Sequence, residues 1–190
     1  MGVPTTTTDN TLTSLKTSRK QTTSHRIALG DVTQNNMGQL KRLNSVLFPV
    51  HYTDRFYKDV LEVGEFAKLA YFNDACVGGV CCRKELIAGT PEKSKLYIMT
   101  LGVLAPYRNL GLGTALLKHI LEHAHSINSS PTPQNHPKFT EVYLHVQTSN
   151  NEAISFYKKY DFEIVGTIQD YYKKITPPDA YILSKKLLVE

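Results

Sequence analysis

The run Leu101-Gly102-Val103-Leu104-Ala105-Pro106-Tyr107-Arg108-Asn109-Leu110-Gly111-Leu112-Gly113-Thr114 decides how this chain is read. It joins the end of one pattern to the start of another. Residues 95–103 upstream are apolar and aromatic, with side chains that alternate as in a strand. Downstream, Leu112, Leu116, Leu117, Ile120, Leu121 and Ala124 recur at the spacing of one helix face. The spacing predicts a helix from Gly111 to His125 whose first N–H groups have no Ser or Asp cap. Glycines at 111 and 113 remove the Cβ atoms that would hold a ligand off the backbone. Free N–H donors, the positive end of the helix dipole and the guanidinium of Arg108 together suit a pyrophosphate. Two common phosphate motifs fail here. A Walker loop needs Lys before Thr114, where Gly113 stands, and a dinucleotide fingerprint needs a third glycine. On Gly111-x-Gly113 alone, a helix start that binds nothing is the stronger reading.

Working outward, strands and helices alternate. Strands are predicted at Arg26–Val32, Ala67–Phe72, Cys76–Lys84, Lys95–Val103, Thr140–Gln147, Glu163–Ile168 and Ala180–Leu187. Helices are predicted at Asn35–Phe48, stopped by Pro49, and at Asp54–Val63, capped by Asp54 and followed by Gly64. Another runs from Asn150 to Tyr160. Asn73-Asp74 between two strands is a hairpin signal. This order implies an α/β or α+β domain layered around one mixed sheet.

The 190 residues allow one domain of ordinary size, and 41% hydrophobic content can build its core. Lys and Arg exceed Asp and Glu by 22 to 17, a mild excess that suits an anionic ligand without requiring one. No apolar run is long enough for a membrane helix, and without an apolar h-region near residue 1 a secretory signal is not expected. Residues 1–24 hold nine Thr, three Ser and only two Leu, so they are expected to be a disordered tail ahead of a domain at 25–190. Met1-Gly2 also fits a loose myristoylation pattern, and the segment faintly resembles a transit peptide. Residues 126–138, with three prolines, are expected to be a loop insertion. Three cysteines, with Cys81 next to Cys82 in an apolar hairpin beside Cys76, are expected to be reduced, buried and inert.

Chemistry can be placed by the alternation. In strand 95–103, Leu96, Ile98 and Thr100 are expected on one face and Tyr97, Met99 and Leu101 on the other. In strand 140–147, Val142, Leu144 and Val146 face the core while Tyr143, His145 and Gln147 face away. If the two strands are neighbours, Tyr97 and His145 share one surface. Taken singly, a strand Tyr is ordinarily packing and a lone His an ordinary polar group. Ser149-Asn150-Asn151-Glu152 reads as a capping box in which Ser149 and Glu152 are structural.

The whole string Arg108-x-x-Gly111-x-Gly113-Thr114, behind Tyr97-Ile98-Met99-Thr100-Leu101-Gly102, resembles the acetyl-coenzyme A signature of the GNAT superfamily of N-acetyltransferases. The resemblance spans about Arg26 to Leu187. It is strongest to the catalytic subunits of type E N-terminal acetyltransferases (NatE), through Leu47-Phe48-Pro49-Val50, Phe56-Tyr57-Lys58-Asp59-Val60-Leu61-Glu62-Val63, Lys68–Asp74, Leu144-His145-Val146-Gln147, Phe156-Tyr157-Lys158-Lys159 and Tyr171-Tyr172-Lys173-Lys174-Ile175. Departures are the tail, the 126–138 insertion, and Asp161 where the family tends to have Gly.

The resemblance implies the GNAT fold, a mixed and mostly antiparallel sheet flanked by helices. It implies transfer of acetyl from acetyl-CoA to the free α-amine of protein N-termini, with Met followed by an apolar residue preferred, and no metal. Tyr97 and His145 would be catalytic, handling the amine proton through ordered water. Leu101, Gly102, Val103, Arg108, Asn109, Leu110, Gly111, Leu112, Gly113, Thr114, Asn150 and Tyr157 would contact the coenzyme, with the Val103 N–H at the thioester oxygen where the strand bulges. Tyr157 reads almost as well as a core aromatic. Phe48, Pro49, Val50, Tyr52, Met99, Tyr171, Tyr172 and Ile175 would hold the acceptor. Implied partners are peptide N-termini, larger NatA-type subunits and the ribosome, without direct contact to nucleic acid or membrane. The implied setting is cytoplasmic, with the nucleus as an alternative. Two other readings stay open at this point, a lysine or small-amine acetyltransferase and a non-catalytic subunit.

Overall fold

A computed structural model describes residues 25–130 and 137–187. The disorder expected for residues 1–24, and the centre of the expected insertion, lie outside the described residues. The strands are β1 (Ile27–Asp31), β2 (Ala67–Phe72), β3 (Ala75–Ile87), β4 (Thr90–Val103), β5 (Lys138–Gln147), β6 (Glu163–Ile168) and β7 (Ala180–Lys186). The helices are α1 (Met37–Leu47), α2 (Asp54–Glu62), α3 (Leu112–Ser129) and α4 (Asn151–Lys158). One seven-stranded sheet runs β1-β2-β3-β4-β5-β7-β6. Among the described residues only β4 and β5 pair in parallel; the other pairings are antiparallel. This is the GNAT fold.

Each face of the sheet carries a core. Leu116, Leu117, Ile120 and Ala124 of α3 bury against Val80, Leu96, Ile98, Val142 and Leu144. Met37, Leu40 and Leu43 of α1, with Tyr57 and Val60 of α2, cover the other face over Leu69 and Cys81. Cys81 and Cys82 point to opposite faces and both are fully buried, and burial pushes the Cys81 thiol up to about 12, so neither is a nucleophile at neutral pH.

Local chemistry explains the turns and corrects several expectations. Asn73 and Asp74 both take positive φ, the type I′ geometry that joins β2 to β3. Both β3 and β4 are longer than expected, forming a second hairpin about Ala88-Gly89, with Gly89 at φ 78°. Helix α2 is capped by Thr53, whose hydroxyl accepts from the Phe56 N–H, with Asp54 as the first helical residue. Helix α3 continues through Ser129, so residues 126–129 of the expected insertion are helical. Asp161 takes φ 62° where the family tends to have Gly, and Lys185 Nζ bonds both its carboxylate (2.9 Å) and the Tyr160 carbonyl (2.8 Å).

Candidate active site

Strands β4 and β5 pair only from Lys93–Lys138 to Tyr97–Tyr143. Beyond that point β4 stays with β3 as far as Val103, and β5 stays with β7 as far as Gln147. The sheet therefore splits between Ile98–Val103 and Leu144–Gln147. Such a split leaves strand edges open to a ligand, and Tyr97 and His145 stand at its vertex. Their side chains meet: Tyr97 Oη lies 3.0 Å from His145 Nδ1, and the rings pack edge to face at 5.3 Å. Tyr97 Oη also lies 3.2 Å from Tyr171 Oη, and the Tyr171 ring leans on His145 at 4.7 Å. Burial drives the Tyr97 pKa up, with the Tyr171 hydrogen bond adding to it, so the phenol stays protonated. Burial holds His145 below the ordinary imidazole value, opposed by the negative charge of Glu85. A neutral imidazole beside a phenol can accept a proton at neutral pH.

One bulge changes the expected alternation. Thr100 pairs with Cys81 and Ile98 with Cys82, so Met99 is an extra residue on β4. Tyr97 and Met99 stay on one face as expected, with Met99, like Tyr52, Phe56 and Leu47, packed against the core under α1 and α2. Leu101 instead joins the α3 core, and Thr100 sits buried on the Cys81 side. The bulge falls at Met99, not at Val103, whose carbonyl accepts from Arg108 Nε at 3.2 Å.

The two loops expected to hold the acceptor both carry aromatic clusters, and the β6–β7 loop brings Tyr171 to this pair. Phe48, Tyr52 and Phe56 form an aromatic row, with ring centroids 6.2 Å and 4.4 Å apart. Tyr171 and Tyr172 pack edge to face at 4.9 Å. Burial raises the Tyr52 pKa, and Cys81, Tyr172, Tyr57 and Tyr171 add to the rise, so both tyrosines of the β6–β7 loop lie within electrostatic reach of the α1–α2 loop. That loop is fastened to strand ends by Gln147 Nε2 on the Pro177 carbonyl (2.8 Å) and the Thr148 N–H on the Asp179 carbonyl (3.0 Å). Ile175 is half-buried on the same loop, while Pro49 and Val50 are exposed at the rim.

At the other end of the split, α3 begins as expected. Gly111 is its N-cap at φ 93°, a left-handed conformation, and no side chain caps the first turn. Asn109 also has positive φ (60°), and Leu110 is exposed. Arg108 Nη1 lies 3.5 Å from Glu152 Oε2. The uncapped turn, its left-handed glycine and the adjacent guanidinium fit the phosphates of coenzyme A. Other residues assigned to the coenzyme are placed differently. The Leu112 side chain is fully buried in the core, so only its backbone faces the turn. The Thr114 hydroxyl accepts from Tyr160 Oη at 2.7 Å. Asn150, not Ser149, caps α4, its Oδ1 accepting from the Ala153 N–H at 3.1 Å. Glu152 is turned to Arg108 instead of closing a capping box. Tyr157 is buried among Phe156 and Phe162, as the core-aromatic reading has it. Sequence reasoning missed Arg83 and Glu85, which form a charged pair beside Tyr97; their spacing reads as the solvated end of a strand.

This fold, split between two strands, with a Tyr–His pair at the vertex and an uncapped helix start beside an arginine at the mouth, is that of an acetyl-transferring enzyme. The model of the acetyltransferase (GNAT) family matches residues 35–162, and the chain belongs to that family. It is 56% identical over 162 residues to N-alpha-acetyltransferase 50 of Danio rerio, covering 85% of this chain and 89% of that one. It is 54% identical over 161 residues to the probable N-acetyltransferase san of Drosophila melanogaster, covering 85% and 81%. The structure of Arabidopsis thaliana Naa50 in complex with the bisubstrate analogue CoA-Ac-MVNAL superposes with TM-score 0.74 at 49% identity, covering 84% of this chain and 98% of that one. The activity is acetyl-CoA-dependent N-terminal acetylation of proteins.

Proposed function

We propose that the enzyme acetylates free N-termini that begin with Met followed by an apolar residue, with His145 and Tyr97 handling the amine proton. One observation carries this reading: the 3.0 Å contact between Tyr97 Oη and His145 Nδ1 at the point where β4 leaves β5. Acetyl-CoA supplies an acetyl group activated as a thioester. Arg108 and the open turn at Gly111–Gly113 hold its phosphates, while backbone along Leu101–Val103 borders the arm. His145 takes the proton of the incoming amine at Nε2, directly or through water, while its Nδ1–H donates to Tyr97 Oη, which orients the ring and sets the tautomer. The α-amine is the easier nucleophile. Its reference pKa lies about 2.5 units below that of Lys, so deprotonating Lys at neutral pH costs roughly 3.4 kcal/mol more. Phe48, Tyr52, Met99, Tyr171 and Tyr172 line an apolar pocket for the first side chain, and a polar one would lose its water there without a partner. The Arabidopsis relative was solved with a peptide portion that starts Met-Val, which agrees with this choice.

The setting proposed is the cytoplasm, with the nucleus as an alternative, in company with NatA-type subunits and ribosomes. Two buried free thiols, Cys81 and Cys82, beside a half-buried Cys76 suit a reducing compartment. The test is a steady-state comparison on a peptide panel. Met-Leu N-termini should outrun Ser- or acid-initiated ones, and His145→Ala should lower kcat by about 10²–10⁴-fold with coenzyme affinity retained. A panel in which Ser or acidic N-termini are the better substrates overturns the acceptor assignment.

A further inference from the structure

Arg83, Tyr97 and Tyr143 stand side by side on three strands. The register pairs Arg83 with Tyr97 across β3–β4 and Tyr97 with Tyr143 across β4–β5. The Arg83 guanidinium lies 5.3 Å over the Tyr97 ring, and Tyr143 stacks on Tyr97 at 4.9 Å with 23° between planes. Glu85, two residues along β3, closes the set. Its Oε1 accepts from Arg83 Nε at 3.0 Å and Nη2 at 2.5 Å, and its Oε2 accepts from Tyr143 Oη at 2.5 Å. One carboxylate thus bridges β3 to β5 across the strand that carries Tyr97.

We propose that Glu85, acting with Tyr143, is a positioning residue for acetyl transfer: it fixes the Tyr97 ring so that its hydroxyl meets His145 and sets a negative charge one ring away from the imidazole. This rests on the assignment of Tyr97 and His145 to the proton step. Charge-assisted hydrogen bonds hold Arg83 and Tyr143 in place, and those two hold the Tyr97 ring by cation–π and stacking contacts. Removing the carboxylate leaves a half-buried phenol and a guanidinium without their acceptor. Burial opposes the charge on Glu85, but the bonds from Tyr143 and Arg83 outweigh it and keep the carboxyl below its ordinary value, hence ionised. The groups that meet His145 are Tyr97 from β4, Tyr143 from its own strand, Tyr171 from the β6–β7 loop and Ile182, its register partner on β7; the Glu85 carboxylate of β3 reaches it through Tyr143, whose hydroxyl bonds Glu85 and whose ring packs on the imidazole at 5.9 Å. Burial lowers the imidazole pKa and the Glu85 charge opposes that. Taking the charge away lets the pKa fall further, so the base stays competent at lower pH.

The experiment compares Glu85→Gln, Glu85→Asp and Tyr143→Phe with wild type in kcat–pH profiles on a Met-Leu peptide, with coenzyme Kd and thermal midpoint measured on the same preparations. Glu85→Gln should lower plateau kcat about tenfold, the effect of losing one charge-assisted hydrogen bond. Its acid limb should move to lower pH, with KM for acetyl-CoA unchanged. Tyr143→Phe should lower kcat without moving the limb, because the charge remains, and Glu85→Asp should recover part of the rate. A purely structural role lowers the midpoint of Glu85→Gln while leaving limb and kcat in place, and that result overturns the proposal. Tyr143→Phe carries the test if Glu85→Gln does not fold, and a wild-type kcat in it overturns the bridge. A slow His145→Ala beside a wild-type Glu85→Gln sinks this inference alone, whereas a wild-type His145→Ala removes the proton assignment and this proposal with it.

Discussion

Gly79 and Gly102 face each other across β3 and β4, and α1 lies on the notch they leave. A Cβ on Gly102 would stand 3.0 Å from both Leu47 Cδ1 and Phe48 Cζ, and one on Gly79 would meet Leu40 Cδ1 at 3.5 Å. Two absent side chains therefore set how close the helix comes to the sheet, and with it the position of Phe48 over the acceptor cleft.

Gly102→Ala should force Leu47 and Phe48 outward. The expected cost is about 1–3 kcal/mol of stability, as for other overpacked sites, together with a higher peptide KM. Urea denaturation and steady-state kinetics on the same variant check both; unchanged midpoint and KM would show that α1 does not depend on the notch.

At the phosphate cradle, Arg108→Ala should weaken coenzyme binding about 10–100-fold, the effect of losing charge-assisted contacts to phosphate. Glu152 shares Arg108 at 3.5 Å, and both side chains are exposed. Such pairs contribute little, so Glu152→Gln should leave coenzyme affinity equal or a few-fold tighter. Calorimetry with coenzyme A distinguishes the two, and a large loss in Glu152→Gln would mean that the glutamate itself supports the ligand.

Phe48→Ala and Tyr172→Ala remove aromatic walls from opposite loops. Each should raise peptide KM roughly five- to tenfold, as truncated aromatic anchors do, and leave coenzyme Kd unchanged. Equal losses in coenzyme affinity would place these rings on the wrong side of the split.

Stability should fall in acid through Glu141. Burial opposes its charge, but Lys95 (2.7 Å), Ser184 and Lys186 (3.1 Å) outweigh that and hold its carboxyl down to about 2. The folded value lies below the unfolded one, so the contribution is complete above about pH 4.5 and is lost as pH falls toward 2. Glu141→Gln should therefore cost roughly 2–3 kcal/mol at pH 7 and little near pH 2. Denaturation at both pH values checks the sign; a penalty that persists at pH 2 would assign it to packing.

How far the sequence could be read follows from which residues carry local signals. The α3 stripe and the glycines before it mark a helix start without tertiary information. Strict alternation in β5 put His145 on the right face. The same rule failed in β4 because the bulge at Met99 arises from pairing with β3, and it carried Leu101 to the α3 core. Exposed charge made the ends of β3 and β4 read as loop, hiding the long hairpin and Glu85. Caps were misplaced by one residue, Thr53 for Asp54 and Asn150 for Ser149, because adjacent residues of both pairs are competent acceptors. The Arg83–Glu85–Tyr143 bridge depends on register across three strands, which no local pattern reports.

The central claim is that the Tyr97–His145 pair removes the proton from an α-amine. The most direct measurement is acetyl transfer to one peptide bearing a free Met-Leu N-terminus and an internal lysine, with site and rate read by mass spectrometry for wild type and His145→Ala. The account predicts acetyl on the α-amine, slowed about 10²–10⁴-fold in His145→Ala while coenzyme binding persists. Acetyl on the lysine, or a His145→Ala enzyme at the wild-type rate, would contradict it.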